Sequence, residues 1–216
     1  MKAVLFGSIG TLIETSDIQR ESFNQAFKEA GLDWYWDQED YTKLLKKSGG
    51  TKRIEDFAEK NNTNVDAKKI RERKTKIYNE KINSTIISPR EGVLDVLEYA
   101  LKNKFKIGFV TSTTLNNIES VFKTLNNQIK KNHFDFIGNN TLIKNEKPAP
   151  DIYIKALNSL ELESSECIAI EDTVESALSA HKAQIRCIAF PGLFHIEDDF
   201  SFCIKKLDKL NISIFN

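Results

Sequence analysis

Ala3-Val4-Leu5-Phe6-Gly7-Ser8-Ile9-Gly10-Thr11-Leu12 opens with four apolar residues that stop at a glycine, followed by a second glycine and a hydroxyl side chain. A short unbroken apolar run bounded by glycine is the pattern of a parallel strand buried on both faces. The pattern recurs downstream. Phe105-Lys106-Ile107-Gly108-Phe109-Val110 runs into Thr111-Ser112-Thr113-Thr114, and Cys167-Ile168-Ala169-Ile170 runs into Glu171-Asp172-Thr173. Residues 186–190 read as a further strand. Between these runs, residues 89–101, 118–125, 151–160 and 174–183 carry apolar side chains at helical spacing. Strands alternating with helices predict an α/β fold, a Rossmann-like parallel sheet with right-handed crossovers. Residues 134–137 are expected to add a strand, with a short hairpin through Asn139-Asn140. Residues 200–210 are expected to close the chain as a helix.

From residue 16 to residue 84 the texture changes. The segment is charged, and its apolar residues fall at helical spacing in four groups: Ile18, Phe23, Phe27 and Leu32; Tyr41, Leu44 and Leu45; Ile54, Phe57 and Ala58; and Val65 to Ile82. Glycines close the first two, Gly31 and Gly49-Gly50. The expected organisation is an all-helical insertion at 16–84, inside a core domain made of 1–15 and 85–216.

Lys+Arg and Asp+Glu are both 31 in the 216 residues, so the formal net charge is zero. Such a chain has no long-range field for nucleic acid or an anionic membrane, and any anion site must be local. No apolar stretch approaches the ~20 residues of a membrane span. The three cysteines, Cys167, Cys187 and Cys203, have no CxxC spacing. They read as reduced, mostly buried thiols, not as a disulfide or zinc framework. The sequence reads as a cytoplasmic protein, a monomer or weak dimer.

In open parallel sheets, ligands bind beyond the carboxyl ends of the strands. There the sequence places Gly7 to Thr11, the hydroxyls of Thr111 and Ser112, and the carboxylates of Glu171 and Asp172. Lys147 stands before Pro148-Ala149-Pro150, in a rigid loop ahead of a helix. Hydroxyls, a lysine and carboxylates at one sheet edge suit a phosphate and a magnesium ion.

These stretches resemble the haloacid dehalogenase (HAD) superfamily, in its β-phosphoglucomutase-like branch, and within it the CbbY-type sugar-bisphosphate phosphatases. The resemblance rests on Thr111-Ser112 as the second motif, Lys147-Pro148-Ala149-Pro150-Asp151 as the third, and Glu171-Asp172-Thr173 as the fourth. It implies a HAD core with a helical cap. It also implies phosphate binding by Thr111, Ser112 and Lys147, and cap contacts to the substrate from Gln19, Arg20, Glu21, Thr51, Lys52 and Arg53. The first motif departs. Where relatives carry Asp-x-Asp-Gly-Thr-Leu, this chain has Gly7-Ser8-Ile9-Gly10-Thr11-Leu12. The family's nucleophile position is Gly7 and its acid/base position is Ile9. Glycine has no side chain to attack with, and isoleucine cannot transfer a proton. Magnesium, implied at Glu171 and Asp172, loses a further carboxylate at Gly7, so its binding is expected to be weak or absent.

Three readings follow. The first is a catalytically impaired binder of phosphate or a sugar phosphate. The second is an active magnesium-dependent phosphatase or phosphomutase with a non-standard nucleophile, for which Ser8 and Thr11 are the nearby candidates. The third is an interaction protein with a vestigial pocket, for which Trp34, Tyr35 and Trp36 are the exposed aromatic candidates, although packing between cap and core is the favoured role for these rings.

Overall fold

The structure, a computed structural model, describes residues 1–7, 9–46 and 49–215. The chain divides into two compact units, one made of Met1–Glu14 with Ile86–Asn216 and one of Thr15–Thr85. The larger unit begins with β1 (Ala3–Phe6) and a single turn of helix, α1 (Ile9–Leu12). The smaller unit supplies α2 (Ser16–Glu29), α3 (Gln38–Leu45), α4 (Gly50–Lys60) and α5 (Ala67–Ser84). The larger unit resumes with α6 (Val93–Lys102), β2 (Lys106–Phe109), α7 (Leu115–Thr124), β3 (Phe136–Ile137) and α8 (Asp151–Leu160). It ends with β4 (Cys167–Glu171), α9 (Val174–Lys182), β5 (Arg186–Ala189) and β6 (Lys205–Lys206).

The six strands form one sheet in the order β3-β2-β1-β4-β5-β6, and every pairing is parallel. β1 lies between β2 and β4, and Phe6 pairs with both Phe109 and Ile170. That register brings the residues after each strand out along one edge. Alternate side chains feed two apolar layers. Val4, Phe6, Ile107, Phe109, Ile168 and Ile170 pack with α6 and α7 on one face. Ala3, Leu5, Cys167, Ala169 and Cys187 pack with α8 and α9 on the other. A parallel sheet covered on both faces needs apolar residues at every strand position, which is why these strands read as continuous runs.

The helical unit is built around aromatic rings. Trp36 is fully buried, with ring centroids 4.9 Å from Phe23, 4.6 Å from Phe27 and 5.5 Å from Phe57. Of the three aromatics offered as interface candidates, only Tyr35 is exposed; Trp36 is the centre of this core, and Trp34 is half-buried against Phe27 and Phe57. Asn24 fixes the entry of Trp36 by a reciprocal pair: Asn24 Nδ2 donates to the Trp36 carbonyl at 2.9 Å, and Trp36 N–H donates to Asn24 Oδ1 at 2.8 Å.

Three local expectations fail. Residues 200–210 do not form a helix. Their apolar spacing mimics one, but the outer edge of β5 presents carbonyls that need donors. Ile204 N–H and Leu207 N–H supply them, to Cys187 and Ala189, each at 2.9 Å. The strand expected at 134–137 shrinks to Phe136–Ile137, and no hairpin follows. Asn139 instead accepts from Thr141 N–H at 2.9 Å and starts a 3-10 turn, Asn140–Leu142. The helix expected from Pro89 begins at Val93. Gly92, in the left-handed region at φ 81, caps it, and a Cβ there would fall 1.8 Å from the Leu210 carbonyl oxygen.

Candidate functional site

Gly7 follows β1 directly, and its N–H donates to the Ile170 carbonyl of β4 at 2.8 Å. Thr11, on the turn after it, is buried and donates to Asp172 Oδ1 at 3.3 Å. A Cβ on Gly10 would fall 2.0 Å from Asp172 Oδ2, so the second glycine is what lets the loop approach that carboxylate. Ile9, at the expected acid/base position, is half-buried and packs against the apolar layer beneath the sheet. Ser8 lies outside the described residues.

Arg90, which carried no signal in the sequence, straps this loop to the far side of the edge. Its Nη1 donates to the Gly10 carbonyl at 2.9 Å and to the Phe190 carbonyl at 2.8 Å. Its Nη2 donates to the Pro191 carbonyl at 2.6 Å, and the guanidinium lies 3.4 Å over the Phe190 ring. Glu14 adds a second tie by accepting from Leu193 N–H at 2.7 Å.

Thr111 is buried after β2, and its Oγ1 accepts from Thr113 N–H at 3.2 Å; Ser112 beside it is half-buried. Lys147 precedes a cis proline bond and points inward, its side chain 6% exposed. Its Nζ lies 2.5 Å from Glu171 Oε1, and Tyr153 OH donates to the same oxygen at 2.5 Å. Glu171 is completely buried. Burial raises its carboxyl above the usual carboxylate value, and Lys147 offsets this only in part. Burial, followed by the Glu171 charge, holds the Tyr153 phenol well above its ordinary value, so Tyr153 is a neutral donor.

Magnesium, the cofactor that the resemblance implies, needs several oxygen donors in near-octahedral array. The residues present fit it poorly. Gly7 offers no carboxylate, and Glu171 is held by Lys147 and Tyr153. Asp172 is bound by Thr11. Among the described residues no group of three or more His, Cys, Asp and Glu side chains gathers as a cation cage.

The helical unit carries its own charged cluster. Gln19 Oε1 accepts from Lys74 Nζ at 2.6 Å. Lys74 is 2% exposed, and its ammonium stands 4.9 Å from the ring centroids of both Phe23 and Tyr78. Burial, then Arg71 and Arg53, lowers its pKa to about 6. Arg53 is half-buried and donates from Nε to the Leu44 carbonyl at 2.9 Å; Arg71 donates to Thr75 Oγ1 at 3.2 Å. Gly50 matters here, because a Cβ on it would fall 2.5 Å from Arg71 Nε. Of the other expected cap residues, Arg20 is buried and turned to Asp17, Glu21 and the Trp36 carbonyl. Lys52 is exposed and pairs with Asp56, and Thr51 is half-buried at the start of α4. Lys74 and Arg71 were missed in the sequence because they sit in a run of basic residues. Lys74 had a signal nonetheless: it falls between Ile70 and Ile77 on the buried stripe of α5.

Comparison with known proteins places the fold. The profile of the haloacid dehalogenase-like hydrolase family matches residues 4–190. CbbY of Rhodobacter capsulatus is 33% identical over 204 residues, covering 93% of this chain and 90% of that protein. CbbY of Cereibacter sphaeroides is 30% identical over 211 residues, covering 96% and 92%. A crystal structure of CbbY from Rhodobacter sphaeroides in complex with phosphate superposes with TM-score 0.80 at 30% identity, over 97% of this chain and 94% of that one. A putative β-phosphoglucomutase from Thermotoga maritima, 18% identical, shares the fold with TM-score 0.74 over 96% and 94%. The chain belongs to the haloacid dehalogenase-like hydrolase family, beside the CbbY proteins.

Proposed function

We propose that this chain binds phosphate or a sugar phosphate and turns it over poorly or not at all. The observation that carries the reading is Gly7 at the end of β1, with Ile9 packed into the apolar layer two residues on. Neither can form an acyl phosphate or protonate a leaving oxygen. Losing the attacking residue of a covalent hydrolase costs roughly 10⁶-fold in turnover, or about 8 kcal/mol of barrier. The means of holding an anion remain. Lys147, Thr111 and Ser112 provide a cation and hydroxyls at the sheet edge, and an ammonium on phosphate makes a strong charge-assisted hydrogen bond. In the helical unit, Arg53 and Arg71 bring positive charge to bear on the buried Lys74, whose proton an anion beside it would restore.

A sugar phosphate is the favoured ligand class because solved CbbY structures hold phosphate and, in a mutant, xylulose-(1,5)bisphosphate. The protein would act in the cytoplasm as a monomer or weak dimer, without nucleic acid; no helix among the described residues is long and apolar enough to cross a membrane. Calorimetry with inorganic phosphate and with pentose and hexose phosphates tests the reading. Binding in the millimolar range or tighter is expected, weakened about tenfold or more in Lys147→Ala. Efficient magnesium-dependent release of phosphate from any of these esters would overturn it.

A further inference from the structure

Gly7 leaves space at the end of β1, and the neighbouring strand fills it. A Cβ built on Gly7 falls 1.8 Å from Glu171 Oε2, 2.1 Å from its Cδ and 2.6 Å from its Oε1. The carboxyl of Glu171 therefore lies where the side chain of any larger residue at position 7 would begin. Through Oε1 the same group holds Lys147 Nζ and Tyr153 OH. The side chains of Glu171 and Lys147 are 0% and 6% exposed. A charge pair this buried persists only where hydrogen bonds complete it, and Tyr153 supplies one without adding charge. A phosphate dianion has the same first requirement as this carboxylate, an oxygen on a lysine, and it would feel the same neighbouring charge of Asp172.

We infer that Glu171 is the resident anion of the phosphate site: it fills the space that a side chain at position 7 would enter, holds Lys147, and sets the affinity of any incoming phosphate, which must take Lys147 from it. This rests on the phosphate-binding reading above. A glutamate that acted only in the structure, or only as a metal ligand, would give weaker anion binding or none of this effect when changed. A resident competitor gives tighter binding when its charge is removed, and that gain is the signature.

The test is calorimetric titration of the full chain with inorganic phosphate at neutral pH, without added divalent metal. Glu171→Gln keeps the shape and removes the charge, and should bind about tenfold tighter than wild type, the scale of one charged hydrogen bond. Gly7→Ala keeps the Glu171 residue but puts a methyl group where its carboxyl lies, so the carboxyl must move off Lys147, and this variant should also bind more tightly. It serves if Glu171→Gln, left with an unpaired buried lysine, fails to fold. Affinity unchanged or weakened in the folded variants overturns the inference, and if wild-type binding is meanwhile lost in Lys147→Ala, the phosphate reading stands without it. Binding seen in Glu171→Gln but not in wild type supports the competitor role and overturns the phosphate reading for the native chain. Silence in wild type and in both variants overturns both.

Discussion

Lys74 is the residue at which charge and burial conflict most openly. Its ammonium has an amide oxygen from Gln19 and two ring faces, all favouring the charged form. Against them stand almost complete burial and the nearby guanidinium groups of Arg71 and Arg53, and these win, lowering the pKa to about 6 from 10.5. The sign for stability follows. Between pH 6 and 10.5 the unfolded chain holds a proton at this lysine that the folded chain does not, so folding costs more as pH falls through that window and is relieved as pH rises. The limiting slope is about 1.4 kcal/mol per pH unit, and structural relaxation reduces it in practice. Between pH 7 and pH 9, the native chain should gain roughly 1–2 kcal/mol relative to Lys74→Met. Urea unfolding of both proteins at the two pH values measures the difference, and parallel pH responses would show that Lys74 stays charged. An anion beside Lys74 would restore its proton, so ligand binding in this unit should draw a proton from solution near neutral pH.

At the scale of the element, what the sequence discloses depends on whether an element's pattern reports its own packing or another element's needs. β1, β2, β4 and β5 are legible because a doubly covered strand must be apolar throughout. α2 to α5 are legible because each buries a single stripe. β6 is not legible, since residues 204–207 are recruited by open carbonyls on β5 and their spacing carries no trace of that. The place of Trp36 is hidden for a similar reason. The stretch from Trp34 to Trp36 suggests packing without saying against what, and only the rings of Phe23, Phe27, Tyr41 and Phe57, drawn from three helices, make a core of it. The energetics of that core can be separated. Among the described residues Trp36 Nε1 is buried without a hydrogen-bond partner, a penalty of about 1–3 kcal/mol that the large apolar ring offsets. Trp36→Ala removes the ring and should cost about 3–5 kcal/mol. Trp36→Phe removes the orphan donor but keeps most of the ring, and should cost less than about 1.5 kcal/mol. Equal losses on chemical denaturation would mean that the indole nitrogen is satisfied in solution, by water for example.

For the molecule as a whole, the question is whether the family's apparatus has drifted or has lost only its first motif. The edge residues Thr111, Lys147 and Asp172 were legible because each stands at the end of a strand or before a helix. Arg90 and Tyr153, which anchor the loop and the Lys147–Glu171 pair, were not, because each acts through contacts to backbone or side chain distant in sequence. The double substitution Gly7→Asp with Ile9→Asp addresses the question. An aspartate at position 7 cannot share the space of the Glu171 carboxyl, so Glu171 must swing away and Lys147 must change partners. Placing two carboxylates around one lysine costs stability, about 1–3 kcal/mol for the crowding and repulsion. Under the proposed reading, the site would then carry aspartates at the family's nucleophile and acid/base positions and a displaced Glu171, and with Asp172 that would be a carboxylate set suited to magnesium. The expected outcome is a lower melting temperature that magnesium and phosphate together restore, with magnesium-dependent hydrolysis of a sugar phosphate well above the native chain. If the variant folds, yet magnesium neither stabilises it nor produces turnover across pentose and hexose phosphates, the deficiency extends beyond positions 7 and 9. Glu171 would then be fixed against Lys147 by its surroundings, and the space at Gly7 would be a consequence of that pair and not its cause.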